Sequence, residues 1–459
     1  MGLIQIDKRI NLLLLALLAL LLLFLGYATP RNNFTLLIGL YSLSFVVYGL
    51  LLRFSFKKTN YNWQFWLLAA LLLRLLLLGM QPNFSDDFFR YIWDGRLLTH
   101  QFNPFDTKPE DWLDNPLFQD WKLNDLYYGN PDTDWAYYQG LNSKAFYSVY
   151  PTTNQLVFGF SAWLFPNDAW ATIVVIRFCL IMAELGTLLF SLGILRRLKM
   201  NENLIWIYAF NPLIIIELSG NLHCETLSIF FVSAAIWALM LNKNSILFSS
   251  VFFSFAITAK LLPVLFLPLI FTFLGYRKGF YYLILTGVWT MLLLFPFFYD
   301  LSLVLKLGES VRLYFSYFEF NSSLYYLSKW ISGFFTNDPP KELLAMGLNI
   351  GVLFFILYLA FFRRAKDIPA LLTLMLFAFT AYCLATRTVH PWYISPLIWF
   401  SIFTRYRYAV IWSALIYLSY YAYSTGDYSE SLALLFVEYG LLTAWVIWEG
   451  RRKSLSAAF

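Results

Sequence analysis

Charge is what this chain has least of. Of its 459 residues only 13% are Asp, Glu, Lys or Arg, against 60% hydrophobic residues. That balance excludes a water-soluble globular protein and points to a polytopic membrane protein. Cysteine is scarce as well. Cys179, Cys224 and Cys383 lie in or beside apolar runs with no ligand spacing, which argues against a disulfide framework or a zinc site. The net charge of +6 is spread over segment ends instead of being gathered in one patch, so no nucleic-acid partner is expected. There is no internal repeat of the transporter kind, no low-complexity region and no linker to a separate soluble domain. Residues 1–459 read as one integral-membrane domain.

Apolar runs and aromatics are abundant. About fourteen apolar segments can be counted against a span of about 20 residues, some of them short. The first, 10–28, follows Lys8-Arg9 as a signal peptide would. It is long for one, and Pro30 spoils a cleavage site, so it reads as a retained span. Basic clusters alternate along the segments: Lys8/Arg9, Arg53/Lys57/Lys58, Arg196/Arg197/Lys199, Lys243, Arg277/Lys278, Arg363/Arg364/Lys366, Arg405/Arg407 and Arg451/Arg452/Lys453. Placing them all in the cytoplasm puts both termini inside and two long loops, 81–168 and 299–342, outside. The run 155–165 is too short to span and fits a helix lying on the membrane.

The first long loop opens on Ser85-Asp86-Asp87-Phe88-Phe89-Arg90-Tyr91-Ile92-Trp93-Asp94-Gly95-Arg96. Residues 81–150 hold eleven acidic residues against five basic ones, and the aromatics Trp93, Trp112, Trp121 and Trp135. Ser85 is a good helix N-cap, with Asp86 and Asp87 in the first turn. Asp87, Arg90, Tyr91 and Asp94 then share one face, and Asn103-Pro104 ends the element. In a soluble protein this would be capping and surface ion pairing. At a membrane edge, carboxylates and arginines packed together mark a site, and a carboxylate there can take a proton from an incoming hydroxyl.

The same stretch, continued by Asn103-Pro104-Phe105, resembles the first outer loop of a mannosyltransferase-like family of the GT-C superfamily. These are integral-membrane glycosyltransferases that take a sugar from a polyprenyl-phosphate donor. Tyr150-Pro151-Thr152-Thr153-Asn154-Gln155 and Phe320-Asn321-Ser322-Ser323-Leu324-Tyr325-Tyr326-Leu327 are similar to later motifs of the family. This chain departs from the pattern at Phe89, Phe105 and Thr152. The resemblance implies an all-α, GT-C-like bundle of about 11–14 transmembrane helices with outer-loop juxtamembrane helices.

Further polar residues fall at outer turns. Asn221, His223 and Glu225 either cap a helix hairpin or support a site, and the family's His-x-acid pattern matches the last two. Lys260, at a helix break before Pro263 and Pro268, either snorkels or meets a phosphate as a point charge. Arg387 and His390, in Thr386-Arg387-Thr388-Val389-His390-Pro391-Trp392-Tyr393, match a late motif and suit a donor phosphate. Arg74, Arg177, Glu184 and Glu438 lie in apolar segments and are expected to form buried ion pairs; Glu217 is expected to be an interior acid with a neighbouring partner.

The expected function is transfer of a hexose, mannose first among the options, from a polyprenyl-phosphate donor to an acceptor hydroxyl at the outer face. The resemblance implies inversion without a covalent intermediate. Asp87 leads Asp86 as the base. Lys260, Arg387, His390 and Arg90 would meet the donor phosphate, and Tyr91, Trp93, Asp94, Tyr150, His223, Glu225 and Asn321 would bind or support. The partners are the lipid-linked donor, membrane lipids and a glycan, lipid or protein acceptor. No cofactor is expected, although the acids leave a divalent metal open. The expected location is a bacterial inner (plasma) membrane, with the active site periplasmic. A lipid-linked sugar transporter or flippase, an envelope polysaccharide polymerase or ligase, and a receptor-like membrane protein are the rival readings.

Overall fold

The computed structural model describes residues 2–55, 63–112, 138–241, 245–316 and 318–451. Trp121, Trp135, Lys57, Lys58, Lys243, Arg452 and Lys453, which entered the sequence reading, lie outside them. The regular structure of the described residues is helical, with no strand among them beyond one parallel bridge between Phe320 and Thr388. The protein is an all-α polytopic membrane protein.

The helices relevant here are α1 (Gly2–Ala28), α2 (Phe34–Ser55), α3 (Trp63–Leu75), α4 (Asp87–Thr99), α5 (Thr152–Leu164), α6 (Ala169–Arg197), α7 (Glu225–Leu239) and α8 (Ser245–Ala259). After them come α9 (Leu267–Leu274), α10 (Tyr276–Leu294), α11 (Leu301–Ser316), α12 (Leu324–Ser332), α13 (Lys341–Phe362), α14 (Ile368–Ala385), α15 (Ser395–Ser401), α16 (Tyr408–Leu415) and α17 (Leu432–Arg451). Among the described residues six helices are long and apolar enough to cross a membrane: most of α1 and α2, and α6, α13, α14 and α17. A seventh crossing results if Glu202–Ala209 and Ile214–Gly220, bent by 63°, form one broken span.

Other apolar runs are short or interrupted. The run 262–275 splits at Pro268 into a tight turn of helix, Leu262–Phe266, and α9. The run from Pro391 starts as another tight helix before α15, and α16 tightens into Ile416–Ser424. Proline supplies the breaks at Pro263, Pro268, Pro391 and Pro396, because it lacks the N–H that would continue the ladder. All these pieces still pack into one apolar core built around Trp206, Ile214, Phe266, Leu397 and Trp412.

The two ends of the bundle differ in chemistry. At one end the basic clusters gather: Arg196 stacks over Trp63, Arg197 donates to the Met240 carbonyl, Arg364 to the Thr272 carbonyl, and Arg407 N to Glu449. At the other, Asn83 donates to the Gly26 carbonyl, Arg31 meets Asp86, and His223 stacks on Trp392.

Helix α4 differs from expectation at both ends. Its N-cap position is Asp86, not Ser85, and neither side chain caps in the usual way; Ser85 Oγ accepts from Asp87 N at 3.3 Å. It ends at Thr99, before Asn103-Pro104, where Gln101 turns the chain with φ +64°. Helix α5 covers most of the short run 155–165. Leu156, Phe160 and Trp163 are exposed along one face, while Gln155, Phe158 and Ala162 are buried on the other. The buried face lies against α4 so closely that a Cβ on Gly95 would stand 2.5 Å from the Phe158 carbonyl oxygen.

Inside the bundle, Arg74 and Glu184 form the expected buried pair at 2.9 Å. Arg177 and Glu438 do not follow expectation. Arg177 donates to the carbonyls of Leu78, Ser219 and Gly220, and Glu438 accepts from Asn321 and Trp412. Backbone carbonyls for Arg177, and the Asn321 amide and Trp412 indole for Glu438, do the work of counter-ions there.

Candidate functional site

The site grows from α4. Arg90 and Asp94, one helical turn apart, pair at 2.6 Å and are almost fully buried. Asp94 also accepts from Ser148 Oγ and, at 2.8 Å, from Gln155 Nε2. Arg90 donates to the Phe146 carbonyl at 2.8 Å and to that of Ser143 at 3.3 Å. These bonds tie the first motif to the second, Tyr150–Gln155. The second is tied onward: Thr153 Oγ1 meets Thr258 Oγ1 at 2.8 Å, and Asn154 Nδ2 donates to the Ala259 carbonyl at 2.7 Å. The next residue is Lys260. A buried polar chain therefore fixes where Lys260 stands relative to α4, and in such a setting every missing partner is costly.

Four expected site residues are bound into this frame. Arg90 and Asp94 hold the frame, Tyr91 lies flat on Phe158 with ring centroids 4.4 Å apart, and Tyr150 meets Tyr91 edge-on at 4.9 Å. Trp93 packs into a roof cluster with Leu97, Trp112, Tyr138 and Leu141.

The half-buried acids at the start of α4 are unequal. Asp86 Oδ2 lies 2.7 Å from Arg31 Nη2, on the turn between α1 and α2. Asp87 has no ion pair among the described residues; its one side-chain contact is Asn142 Nδ2 at 3.5 Å, the limit of a hydrogen bond. Asp87 is close enough for its charge to act on Lys260.

Lys260 forms an ion pair with Glu225, in the first turn of α7, and its ammonium stands 4.3 Å over the Tyr393 ring. This group forms the polar end of a cavity whose lining, Ser228 apart, is otherwise apolar, with Ile229, Val232, Phe266, Phe379 and Trp399 among its walls. His223 and His390 flank it. Trp392 lies against both rings, 3.6 Å from His223 and 4.4 Å from His390. His223 Nε2 stands 3.2 Å from Glu217 Oε2 at ion-pair distance, without hydrogen-bond alignment. Glu217 is the expected interior acid; it accepts from the hydroxyls of Tyr417 and Tyr420. Burial, then the charges of His223 and Lys260, push the His390 imidazole down to about 3.

Arg387 enters a neighbouring cluster that sequence did not reveal. Its guanidinium donates to Glu319 at 3.0 Å and stacks on Tyr325, while Glu319 also accepts from Lys329 and the Tyr325 hydroxyl, each at 2.8 Å. Burial alone would raise the Glu319 carboxyl, but hydrogen bonds from Lys329, Tyr325 and Arg387 outweigh it and hold it below its ordinary value. The segment joins the site through the bridge at Phe320, whose ring stacks 5.0 Å from His390. Asn321, with φ +48°, is a fastener: its N–H donates to Glu430, its amide to Glu438, and its carbonyl accepts from Tyr439. Among the described residues no three or more His, Cys, Asp or Glu stand together as metal ligands.

The start of α4 and the cleft beside Lys260 thus place a carboxylate, a lysine and apolar walls in one part of the membrane bundle. The chain belongs to the MptA_B family: residues 20–275 match its alpha-(1->6)-mannopyranosyltransferase N-terminal domain. It is therefore a glycosyltransferase of a mannose-transferring family. Neither a curated protein nor a solved structure matches it.

Proposed function

We propose that the protein transfers mannose from a polyprenyl-phosphate donor to a sugar hydroxyl at the outer face of the membrane, with inversion. The observation that carries this reading is the cavity with Lys260 at its polar end. Its apolar walls suit an isoprenoid, its lysine suits the phosphate, and Asp87 is within range of that lysine. Such a GT-C-like arrangement lets the donor react without leaving the bilayer.

In the reaction the acceptor oxygen attacks the anomeric carbon as the bond from that carbon to the phosphate oxygen breaks. The hydroxyl proton passes to the Asp87 carboxylate. The electron pair leaves with the polyprenyl phosphate, whose charge Lys260 neutralises in a site of low dielectric. Phosphate is a tolerable leaving group, so no general acid is required. An inverting displacement that leaves an α-linkage demands a β-linked donor. The alternating basic clusters support an outer-face site and an inner-membrane location.

The test is incubation of the purified protein with a panel of polyprenyl-phosphate sugars and a mannoside acceptor, followed by mass analysis of donors and NMR of the product linkage. Consumption of the β-mannosyl donor with formation of an α-linkage is expected. Consumption of a nucleotide-sugar donor instead would overturn the reading.

A further inference from the structure

We propose that Arg31, Asp86, Tyr423 and Tyr428 form the subsite that holds the acceptor sugar, an inference that rests on the reading above. Arg31 belongs to none of the motifs. It sits on the short turn between α1 and α2, yet it pairs with Asp86 at 2.7 Å and covers the Tyr423 ring at 5.0 Å. Tyr423 meets Tyr428 edge-on at 5.9 Å. Three separate turns therefore converge beside the start of α4.

Accessibility fits a ligand site. Side chains of Arg31 and Asp86 are 25% and 34% exposed, and Tyr428 is 64% exposed. Tyr428 is also held at φ +56°, a conformation unfavourable for a bulky side chain. Apart from its edge-on contact with Tyr423, the ring is displayed outward on strained backbone. Among the described residues no hydrogen bond engages the hydroxyls of Tyr423 or Tyr428.

The chemistry selects the ligand. Asp86 repels an anion and Arg31 repels a cation, while a hydrocarbon would desolvate the ion pair and leave its remaining lone pairs and N–H groups without partners. A neutral polyhydroxylated ring satisfies all four groups. Its hydroxyls donate to Asp86 and accept from Arg31, and its C–H faces lie on the tyrosine rings. Position agrees, because the charges of both Asp86 and Asp87 act on the Tyr423 phenol. A sugar held there brings a hydroxyl to the start of α4, where Asp87, the base of the proposed reaction, follows Asp86 directly.

The test uses the full-length protein in nanodiscs free of sugar detergents, titrated with methyl α-mannopyranoside by saturation-transfer NMR. The wild type is expected to bind in the millimolar range. Tyr428→Ala, which removes only an exposed ring, should weaken binding about fivefold to tenfold, and Arg31→Met should weaken it as well. In the transfer assay the same variants should raise the acceptor KM and leave the donor KM unchanged. Absence of mannoside binding by the wild type, or equal affinity in Tyr428→Ala, overturns the subsite. Weakened binding in the variants without any wild-type transfer from the polyprenyl donor leaves the subsite standing and removes the donor reading.

Discussion

Arg31 Nη2 lies 2.7 Å from Asp86 Oδ2, and that contact separates the roles of two adjacent acids. Asp86 is engaged by a cation, whereas Asp87, one residue on, keeps a carboxylate without a charged partner among the described residues. In the proposed reaction the carboxylate not held by a cation, Asp87, is the base. Asp87→Asn should preserve shape and donor affinity but lower single-turnover transfer by about 10²–10⁴-fold. Asp86→Asn should act mainly on the acceptor KM. Collapse of turnover in Asp86→Asn with near-normal turnover in Asp87→Asn would exchange the two assignments.

Lys260 separates phosphate recognition from simple snorkelling. Its partner Glu225 and the Tyr393 ring hold the ammonium at the cavity rim. Lys260→Ala should weaken donor binding by about 1.5–3 kcal/mol, the value of one charge-assisted hydrogen bond, with little effect on acceptor affinity. Isothermal titration with a short-chain prenyl-phosphate mannose would measure it. Equal donor affinity in the folded variant would leave the lysine as a surface anchor.

Much of the fold and part of the site were legible in the sequence, for identifiable reasons. Charge is so sparse that the acidic-aromatic stretch at Asp86–Arg96 stood out, and its 3.6-residue spacing placed Arg90 against Asp94. The break at Lys260 was visible because Pro263 and Pro268 follow it. Hydropathy was less informative where an apolar run is bent, as at Glu202–Gly220, because oil in a kinked helix looks like oil in a straight one. Arg31, Glu319 and Tyr423 were not recognisable. Their partners lie far away in the chain, 55 residues for Arg31 and 68 for Glu319 with Arg387. Arg177 and Glu438 misled for a related reason: local sequence cannot reveal that carbonyls and N–H groups will satisfy a buried charge.

Gly95 offers a test of the frame that is independent of chemistry. A methyl group at this position would meet the Phe158 carbonyl at 2.5 Å, and backbone cannot yield as a side chain does. Gly95→Ala should cost about 1–3 kcal/mol by overpacking α4 on α5. The melting temperature in nanodiscs should fall accordingly. Activity should fall with it, because α5 carries the Asn154 contact that sets the end of α8. A wild-type melting temperature would mean that the two helices pack less closely than this.

Topology can be tested by labelling. Asn337 and Lys366 are both exposed, on the two sides of α13. If the basic clusters are cytoplasmic, a cysteine at Asn337 in a background lacking Cys179, Cys224 and Cys383 should react with an impermeant thiol reagent in spheroplasts. A cysteine at Lys366 should react only after lysis. The reverse pattern would place the site on the cytoplasmic side and remove the outer-face reading.

His390 gives the pH dependence. Its imidazole is held down to about 3 by burial and by the charges of His223 and Lys260, against an ordinary value of 6.5. Between those two values the unfolded chain binds a proton that the folded chain refuses. Stability therefore rises with pH through this window and is lost as pH falls below 6.5. Glu319 adds a separate loss at lower pH. Its folded value lies below the ordinary 4.5, so its contribution is present above that pH and disappears as the carboxylate is protonated. His390→Phe keeps a ring against Trp392 and Phe320 but removes the titrating group. The variant should show a shallower fall in melting temperature between pH 7 and about 5 than the wild type, while both should lose stability alike below the Glu319 window. Parallel melting curves across pH 5–7 would show that folding leaves the His390 imidazole unshifted, and a steeper fall in the variant would show that the fold favours its protonated form.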